Sequence, residues 1–125
     1  MKKKANSIAF PFLLDLLIGL DYKIKPMFGC HAIYKEEKIL MILRSKADHK
    51  ESNGVWIATE FQHHESLIKI FPCLIDVNIL SPQGNKTAWQ MIPSNTENFE
   101  ECVVLLCQMI LKGDKRIGKI PKRKR

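Results

Sequence analysis

Two pairs of adjacent residues and one charged segment are the parts of this 125-residue chain that could do chemistry. Cys30 and His31 could form a thiolate and imidazole pair, the combination that activates a cysteine nucleophile. His63 and His64 carry nitrogen donors of the kind that bind zinc. The third feature is a run of Lys and Arg between residues 112 and 125, which could bind phosphate groups.

Cys30 and His31 lie in an apolar run that predicts a β-strand. Successive side chains of a strand point to opposite faces of the sheet, so the thiol and the imidazole cannot readily hydrogen-bond to each other. The sequence therefore predicts a buried Cys30, a surface His31 and no catalytic residue. One alternative stays open: a pocket between the sheet and the helices, lined by Cys30, His31 and Trp56, would make the protein a small enzyme or ligand-binding protein.

The two adjacent histidines open a predicted helix, in which neighbouring side chains point about 100° apart and share one ion poorly. A structural zinc site needs about four nitrogen or sulfur ligands at matched spacings, and none accompany His63 and His64. The glycines form neither a dinucleotide-binding motif nor a P-loop. We therefore expect no metal and no cofactor, and two histidines at the edge of a helix.

The charge of the chain is concentrated at its C-terminal end. Residues 112–125 hold eight Lys or Arg and one Asp, a net charge of +7, whereas residues 1–111 hold twelve cations and twelve anions. Gly113, Gly118 and Pro121 interrupt this segment and predict a disordered tail rather than a continuing helix. Two interpretations remain: a tail that contacts nucleic acid non-specifically, DNA or RNA, and a solvated terminus that only raises solubility. The nucleic-acid-binding cations would be Lys112, Lys115, Arg116, Lys119, Lys122, Arg123, Lys124 and Arg125.

The cysteines and the N-terminal segment bear on the compartment. Four cysteines without a Cys-x-x-Cys spacing are typical of reduced thiols in a cytoplasmic protein, and Cys102 and Cys107 are expected to serve packing. The apolar segment after the N-terminal lysines is interrupted by Asp15 and is shorter than the roughly 20 residues that cross a bilayer. We expect no membrane partner.

The order of apolar patterns predicts one α+β domain over residues 1–111, followed by the tail over 112–125. A helix capped by Ser7 comes first, followed by a hairpin around Lys35-Glu36-Glu37-Lys38. The second hairpin strand is apolar on both faces, which is typical of a central strand in a sheet that is covered on both sides. We expect an antiparallel sheet of about five strands with helices packed on it.

Two later helices are predicted from capping-box spacings, one with Thr59 and Gln62 and one with Ser94 and Glu97. Strands are predicted at 55–58, 73–80 and 87–92. The aromatic residues Trp56, Trp89, Tyr22 and Tyr34 could stack nucleobases, but their positions on the predicted strands favour core packing.

The run Met27-Phe28-Gly29, a strand ending at Tyr34, a short charged turn and a second apolar strand resemble the start of the TfoX N-terminal domain family. Later pieces, Gly54-Val55-Trp56-Ile57 and Thr87 to Ile92 before a last helix, follow in a compatible order. The family is named for a bacterial competence regulator and is similar in fold to the YjbR/MmcQ-like proteins. The resemblance implies that fold and a regulatory role, although Cys30-His31 departs from its pattern.

Three classes of function follow from these features. The first is a non-enzymatic regulatory or interaction module of the TfoX N-terminal type, which contacts nucleic acid through its basic tail. The second is the enzyme or ligand-binding protein with the pocket described above. The third is an interaction protein with a protein partner or a homo-oligomer, which would leave an apolar sheet face uncovered in the monomer.

Overall fold

The structure, a computed structural model, describes residues 8–27, 29–77 and 87–120. Its sheet has six strands in the order β1-β2-β3-β4-β6-β5, and every neighbouring pair is antiparallel. The α+β class and the antiparallel sheet are confirmed, with one strand more than the five expected. The strands are β1 Tyr22–Met27, β2 Cys30–Lys35, β3 Lys38–Arg44, β4 Gly54–Ile57, β5 Ile75–Asp76 and β6 Gln90–Pro93, and the helices are α1 Phe12–Asp15, α2 His64–Ile70 and α3 Phe99–Leu111.

The predicted hairpin is the β2–β3 pair, joined at Glu36 and Glu37. Glu36 adopts the left-handed conformation, with φ of 57°, which a two-residue hairpin turn requires. The register changes between Ile33 and Tyr34, so one extra residue of β3 is accommodated there as a bulge. This register sets which side chains of β2 face each side of the sheet.

The strand that the sequence analysis did not predict is β1, which pairs with β2 at one edge of the sheet. It alternates lysines with less polar residues, and Pro26 lies within it. Proline is tolerated on an edge strand because it removes no hydrogen bond that a second neighbour would need. Exposed lysines and a proline are also the usual protection of an edge against pairing with another chain.

Apolar side chains are buried on both faces of the sheet. On the helix side, Met41, Leu43 and Val55 join side chains from all three helices in one core. On the opposite side, Ile42 and Trp56 belong to a second buried cluster. This confirms β3 as a central strand covered on both faces. The homo-oligomer hypothesis requires an apolar sheet face that is uncovered in the monomer. In the described part of the chain, the cluster residues of both faces are buried instead.

The N-terminal helix is shorter than the sequence predicted. Ser7, its expected cap, lies outside the described residues, and α1 has four residues preceded by Pro11. Beyond α1 the chain continues in i to i−3 hydrogen-bonded turns, such as Leu20 N–H to Leu17 O at 2.9 Å. Leu13 and Leu17 are nevertheless fully buried, as the helical spacing predicted.

Both predicted capping boxes are wrong. The N-cap residues of α2 and α3 are His63 and Asn98, and neither helix has a side-chain cap. The Thr59 hydroxyl donates to the carbonyl oxygen of Arg116 at 2.6 Å, and the Ser94 N–H donates to Asn53 O at 2.9 Å. The predicted caps therefore do not form, and these groups bond to distant residues instead.

Two strand boundaries also differ from the predictions. The strand expected over 73–80 is reduced to the two residues of β5, and residues 78–80 lie outside the described part. The strand expected over 87–92 is β6, which begins at Gln90 and ends at Pro93.

Candidate functional site

The basic C-terminal segment does not leave the domain at residue 112. Ile117 is 2% exposed and belongs to the helix-side core. The Gly118 N–H donates to Ala58 O at 2.6 Å, and Lys119 forms an antiparallel bridge with Ile39. The prediction of a separate disordered tail is therefore wrong for residues 112–120, because Ile117 gains burial that a free segment would lack. Residues 121–125 lie outside the described part of the chain.

A tight turn directs this segment back towards the sheet. Gly113, with φ of 79°, follows α3, and its N–H donates to Ile110 O at 2.9 Å while the Asp114 N–H donates to Met109 O at 3.0 Å. These two bonds form the Schellman motif, which ends a helix and satisfies its last carbonyl groups. The reversal is thus encoded by a glycine at the position that requires a left-handed backbone.

An ion pair closes the turn. The guanidinium of Arg116 donates from Nε to Asp114 Oδ1 at 2.9 Å and from Nη2 to Oδ2 at 2.6 Å. Arg116 Nη1 also donates to Ser66 Oγ at 3.3 Å. The hydrogen bonds from the Arg116 side chain lower the pKa of Asp114 to about 2. Arg116 therefore fastens the segment to the start of α2.

The turn divides the predicted nucleic-acid-binding cations into groups. Lys112 and Lys115 have exposed side chains, and Lys119 is half-buried beside β3. Arg116 is occupied by Asp114, so its charge is largely neutralised within the domain. The other four predicted residues, Lys122, Arg123, Lys124 and Arg125, lie outside the described part of the chain.

The segment ends beside the β2–β3 turn. Gly118, with φ of 112°, lies so close to β3 that an added Cβ would be 2.5 Å from Lys38 Cδ. Ile120, which is 66% exposed, borders an open groove of about 350 Å³. Lys35, Glu36, Glu37 and Lys38 line the other side of this groove. The groove is lined by two lysines and two glutamates, so its side chains carry no net charge. It therefore adds no positive charge next to Ile120, after which the last four cations follow.

The predicted pocket of Cys30, His31 and Trp56 is not assembled. His31 pairs with Leu43, whose side chain is in the helix-side core, whereas Cys30 and Trp56 belong to the opposite cluster. Cys30 is 5% exposed and Trp56 is 1% exposed. Burial raises the pKa of the Cys30 thiol despite the opposing effect of Lys46 and Arg44. A buried thiol with a raised pKa, whose neighbouring imidazole His31 lies on the opposite face, lacks the features of an activated nucleophile.

The aromatic residues of the sheet are used for packing. Trp56 donates from Nε1 to Ser52 O at 2.9 Å, and Tyr34 is buried under Lys25, whose Nζ is 4.6 Å from the ring centroid. Trp89 and Tyr22 are half-buried and pack against the two cores. The rings of Trp56 and Tyr34 are therefore closed to nucleobases, which agrees with the core-packing interpretation.

Arg44 organises the loop between β3 and β4, a role that the sequence analysis missed. Its side chain is 4% exposed and donates to the carbonyl oxygens of Asp48 and His49 and to Asn53 Oδ1, the last at 2.7 Å. It also contacts the Asp48 carboxylate at 3.2 Å. An arginine at the end of an apolar strand, with Asp four residues later, is the signal that could have indicated it.

The two adjacent histidines do not act together. Nε2 of His64 donates to Ala88 O at 2.7 Å, and His63 precedes the first residue of α2. Among residues 8–27, 29–77 and 87–120, no three His, Cys, Asp or Glu side chains come close enough to hold a metal ion. In the same ranges no helix has the length and apolarity needed to cross a membrane.

Comparisons with protein-family models, with curated proteins and with solved structures found no match to this chain. The resemblance to the TfoX N-terminal family therefore stays a prediction from the motif at residues 27–44.

Proposed function

We propose that this protein is a non-enzymatic regulatory or interaction module, of the TfoX N-terminal type, whose C-terminal cations bind the phosphate backbone of nucleic acid. The observation that carries the proposal is the separation of charge along the chain. Residues 1–111 are neutral, and the whole net charge of +7 belongs to residues 112–125. A cationic segment attached to a neutral domain attracts a polyanion through one defined part of its surface.

The anchoring of residues 112–120 supports this proposal. Because Ile117 is buried and Lys119 is paired with Ile39, the last four cations are attached at one place, next to the β2–β3 turn. Four of the eight cations of the segment follow Ile120. A tether fixed to a folded domain can bring that domain to nucleic acid, which is how an interaction module would recruit it.

Binding would be insensitive to sequence. Reading bases requires side chains that reach base edges or aromatic faces that stack on bases. Trp56 and Tyr34 are buried, so their rings cannot stack on bases. The side chains proposed to contact nucleic acid are lysines and arginines, which recognise phosphate. The interaction would therefore be electrostatic and strongly weakened by salt.

The enzyme and ligand-binding alternative has less support. Its three residues are divided between the two faces of the sheet, and the thiol of Cys30 has a raised pKa. No observation in the described residues favours a second function over the first. We also propose a cytoplasmic location, because four cysteines without a Cys-x-x-Cys spacing are typical of reduced thiols in that compartment.

The test compares the full chain with a chain that ends at Ile120. This truncation removes Lys122, Arg123, Lys124 and Arg125 and keeps the packed residues 112–120. Fluorescence anisotropy would measure binding to labelled duplex DNA, single-stranded DNA and RNA at about 50 mM and about 200 mM salt. The full chain should bind at the lower salt concentration and lose about a hundredfold or more in affinity at the higher one, as expected for four or more phosphate contacts. Equal binding by the truncated chain, or no binding by either chain, would reject the proposal.

A further inference from the structure

Two thiols lie in contact beneath the first turns of α3. The Sγ atoms of Cys73 and Cys102 are 4.0 Å apart, although the residues are separated by 29 positions in sequence. All four cysteines of the chain are in its described part; of the other two, Cys30 is buried in the opposite cluster and Cys107 is buried in the helix-side core, five residues after Cys102. The fold has therefore brought together two cysteines that the sequence spacing did not connect.

The two residues differ in accessibility and in backbone support. Cys102 is 8% exposed and lies in the first part of α3, where its position is held by helical hydrogen bonds. Cys73 is half-buried and lies in the turn between α2 and β5, where Leu74 N–H donates to Phe71 O at 3.1 Å. A disulfide needs the two sulfurs at about 2.05 Å, so one residue must move by about 2 Å. The turn residue Cys73 can move by that distance without breaking a helix.

We propose that Cys73 and Cys102 form a redox-active dithiol that is oxidised to a disulfide by low-molecular-weight disulfides such as glutathione disulfide. The thiolate of Cys73 attacks one sulfur of the oxidant, forms a mixed disulfide and releases one glutathione thiolate. Cys102 then loses its proton and attacks Sγ of Cys73, which forms the protein disulfide and releases the second glutathione. One glutathione disulfide is reduced to two glutathione thiols, and the dithiol loses two hydrogens and two electrons.

The order of the two steps follows from the surroundings of the thiols. Cys73 is the more exposed residue of the pair and is therefore reached first by a bulky oxidant. Burial, the neighbouring Cys73 and the nearby Glu101 raise the pKa of Cys102 to about 11, so it is protonated at neutral pH. Cys102 therefore acts second, when its 4.0 Å proximity to Cys73 gives it a high effective concentration.

The experiment incubates the folded full-length protein with glutathione disulfide and follows its intact mass and its cross-linked peptides. The expected product has lost the mass of two hydrogens, and its digest contains a Cys73–Cys102 peptide pair that disappears on reduction. The Cys102→Ser variant should instead retain one glutathionyl group on Cys73, because the second thiol is missing. The Cys30→Ala variant keeps the pair and should be oxidised like the unmodified protein.

Three results would overturn the proposal. The folded protein could stay fully reduced under conditions in which the urea-denatured chain reacts. Its glutathione adduct could persist although Cys102 is present. The peptide map could join Cys73 to Cys30 or Cys107. The first two results can be read from the unmodified protein alone, so the test does not depend on whether a variant folds.

Discussion

Ile39 and Lys119 exchange both of their backbone hydrogen bonds, with Ile39 N–H to Lys119 O at 2.8 Å and Lys119 N–H to Ile39 O at 2.9 Å. This pair of bonds joins the basic C-terminal segment to the start of the central strand β3. Together with the bond from Thr59 to Arg116, the burial of Ile117 and the bond from Gly118 to Ala58, it attaches the segment at four successive residues, 116–119. Residues 112–120 are therefore part of the domain, and any change to them acts on stability as well as on charge.

The clearest consequence concerns Ile117. The Ile117→Ala substitution should lower the free energy of unfolding by about 2–4 kcal/mol, because it removes a buried side chain from the helix-side core. Ile120→Ala is the matched control, since that side chain is 66% exposed and its loss should cost less than about 0.5 kcal/mol. Urea denaturation followed by circular dichroism measures both. Equal effects of the two substitutions would contradict the packed position of the segment.

The Asp114–Arg116 pair should contribute a pH-dependent part of the stability. The pKa of Asp114 is lowered from 3.8 to about 2 in the folded chain, so the pair stabilises the protein fully above the ordinary pKa of an aspartate. This stabilisation is lost as the pH falls through 3.8 towards 2. The Asp114→Asn variant should be less stable than the unmodified protein by up to about 2 kcal/mol at pH 7, and by much less near pH 2.

Urea titrations of the unmodified protein and of Asp114→Asn at several pH values measure this difference. Other carboxyl groups titrate in both proteins and cancel in the comparison. A difference that stays constant from pH 7 to pH 2 would mean that Arg116 does not hold the Asp114 carboxylate in the folded state.

Arg44 should hold the loop between β3 and β4. The Arg44→Leu substitution removes the guanidinium that donates to Asn53 Oδ1 and to the carbonyl oxygens of Asp48 and His49, so we expect a loss of about 1.5–3 kcal/mol. Lys50→Leu changes an exposed cation of the same loop and should have little effect. Hydrogen exchange of residues 45–53 measured by mass spectrometry should become faster in Arg44→Leu only, and unchanged exchange would contradict this role.

Oxidation of the Cys73–Cys102 pair should stabilise the fold. The disulfide would close a loop between residues 29 positions apart, for which the chain-entropy model gives about 3.5 kcal/mol. Strain in the new bond would reduce this value. The oxidised protein should therefore melt at a higher temperature than the reduced protein by scanning calorimetry. A lower melting temperature after oxidation would show that the turn at Cys73 cannot adopt the required geometry without distorting the core.

The central hairpin could be predicted from sequence because its information is local. Ile33 and the run from Ile39 to Leu43 flank a polar turn, and the burial of β3 on both faces follows from its continuous apolar pattern. The separation of Cys30 and His31 onto opposite faces followed from the period of a strand. These features needed no knowledge of distant residues.

The features that the sequence did not predict depend on contacts between distant residues. Ile117 lies among cations and glycines, and only its contact with the core distinguishes it from a solvated residue. Thr59 has the spacing of a helix cap, but the carbonyl oxygen of Arg116, 57 positions later, is its acceptor. The edge strand β1 has two exposed lysines and a proline, so its alternation is a weak signal until β2 is present as a partner.

The most direct test of the central claim is the salt dependence of duplex DNA binding in two variants of equal charge. One replaces Lys122, Arg123 and Lys124 with Gln, and the control replaces the exposed Lys46, Lys50 and Lys69 with Gln. If the C-terminal cations contact phosphates, the first variant should show a slope of log K against log salt that is smaller by about 3, since each lost contact removes about 0.9. The control should keep the slope of the unmodified protein. Equal slopes in the two variants would contradict the claim, because binding would then depend on total charge and not on the C-terminal segment.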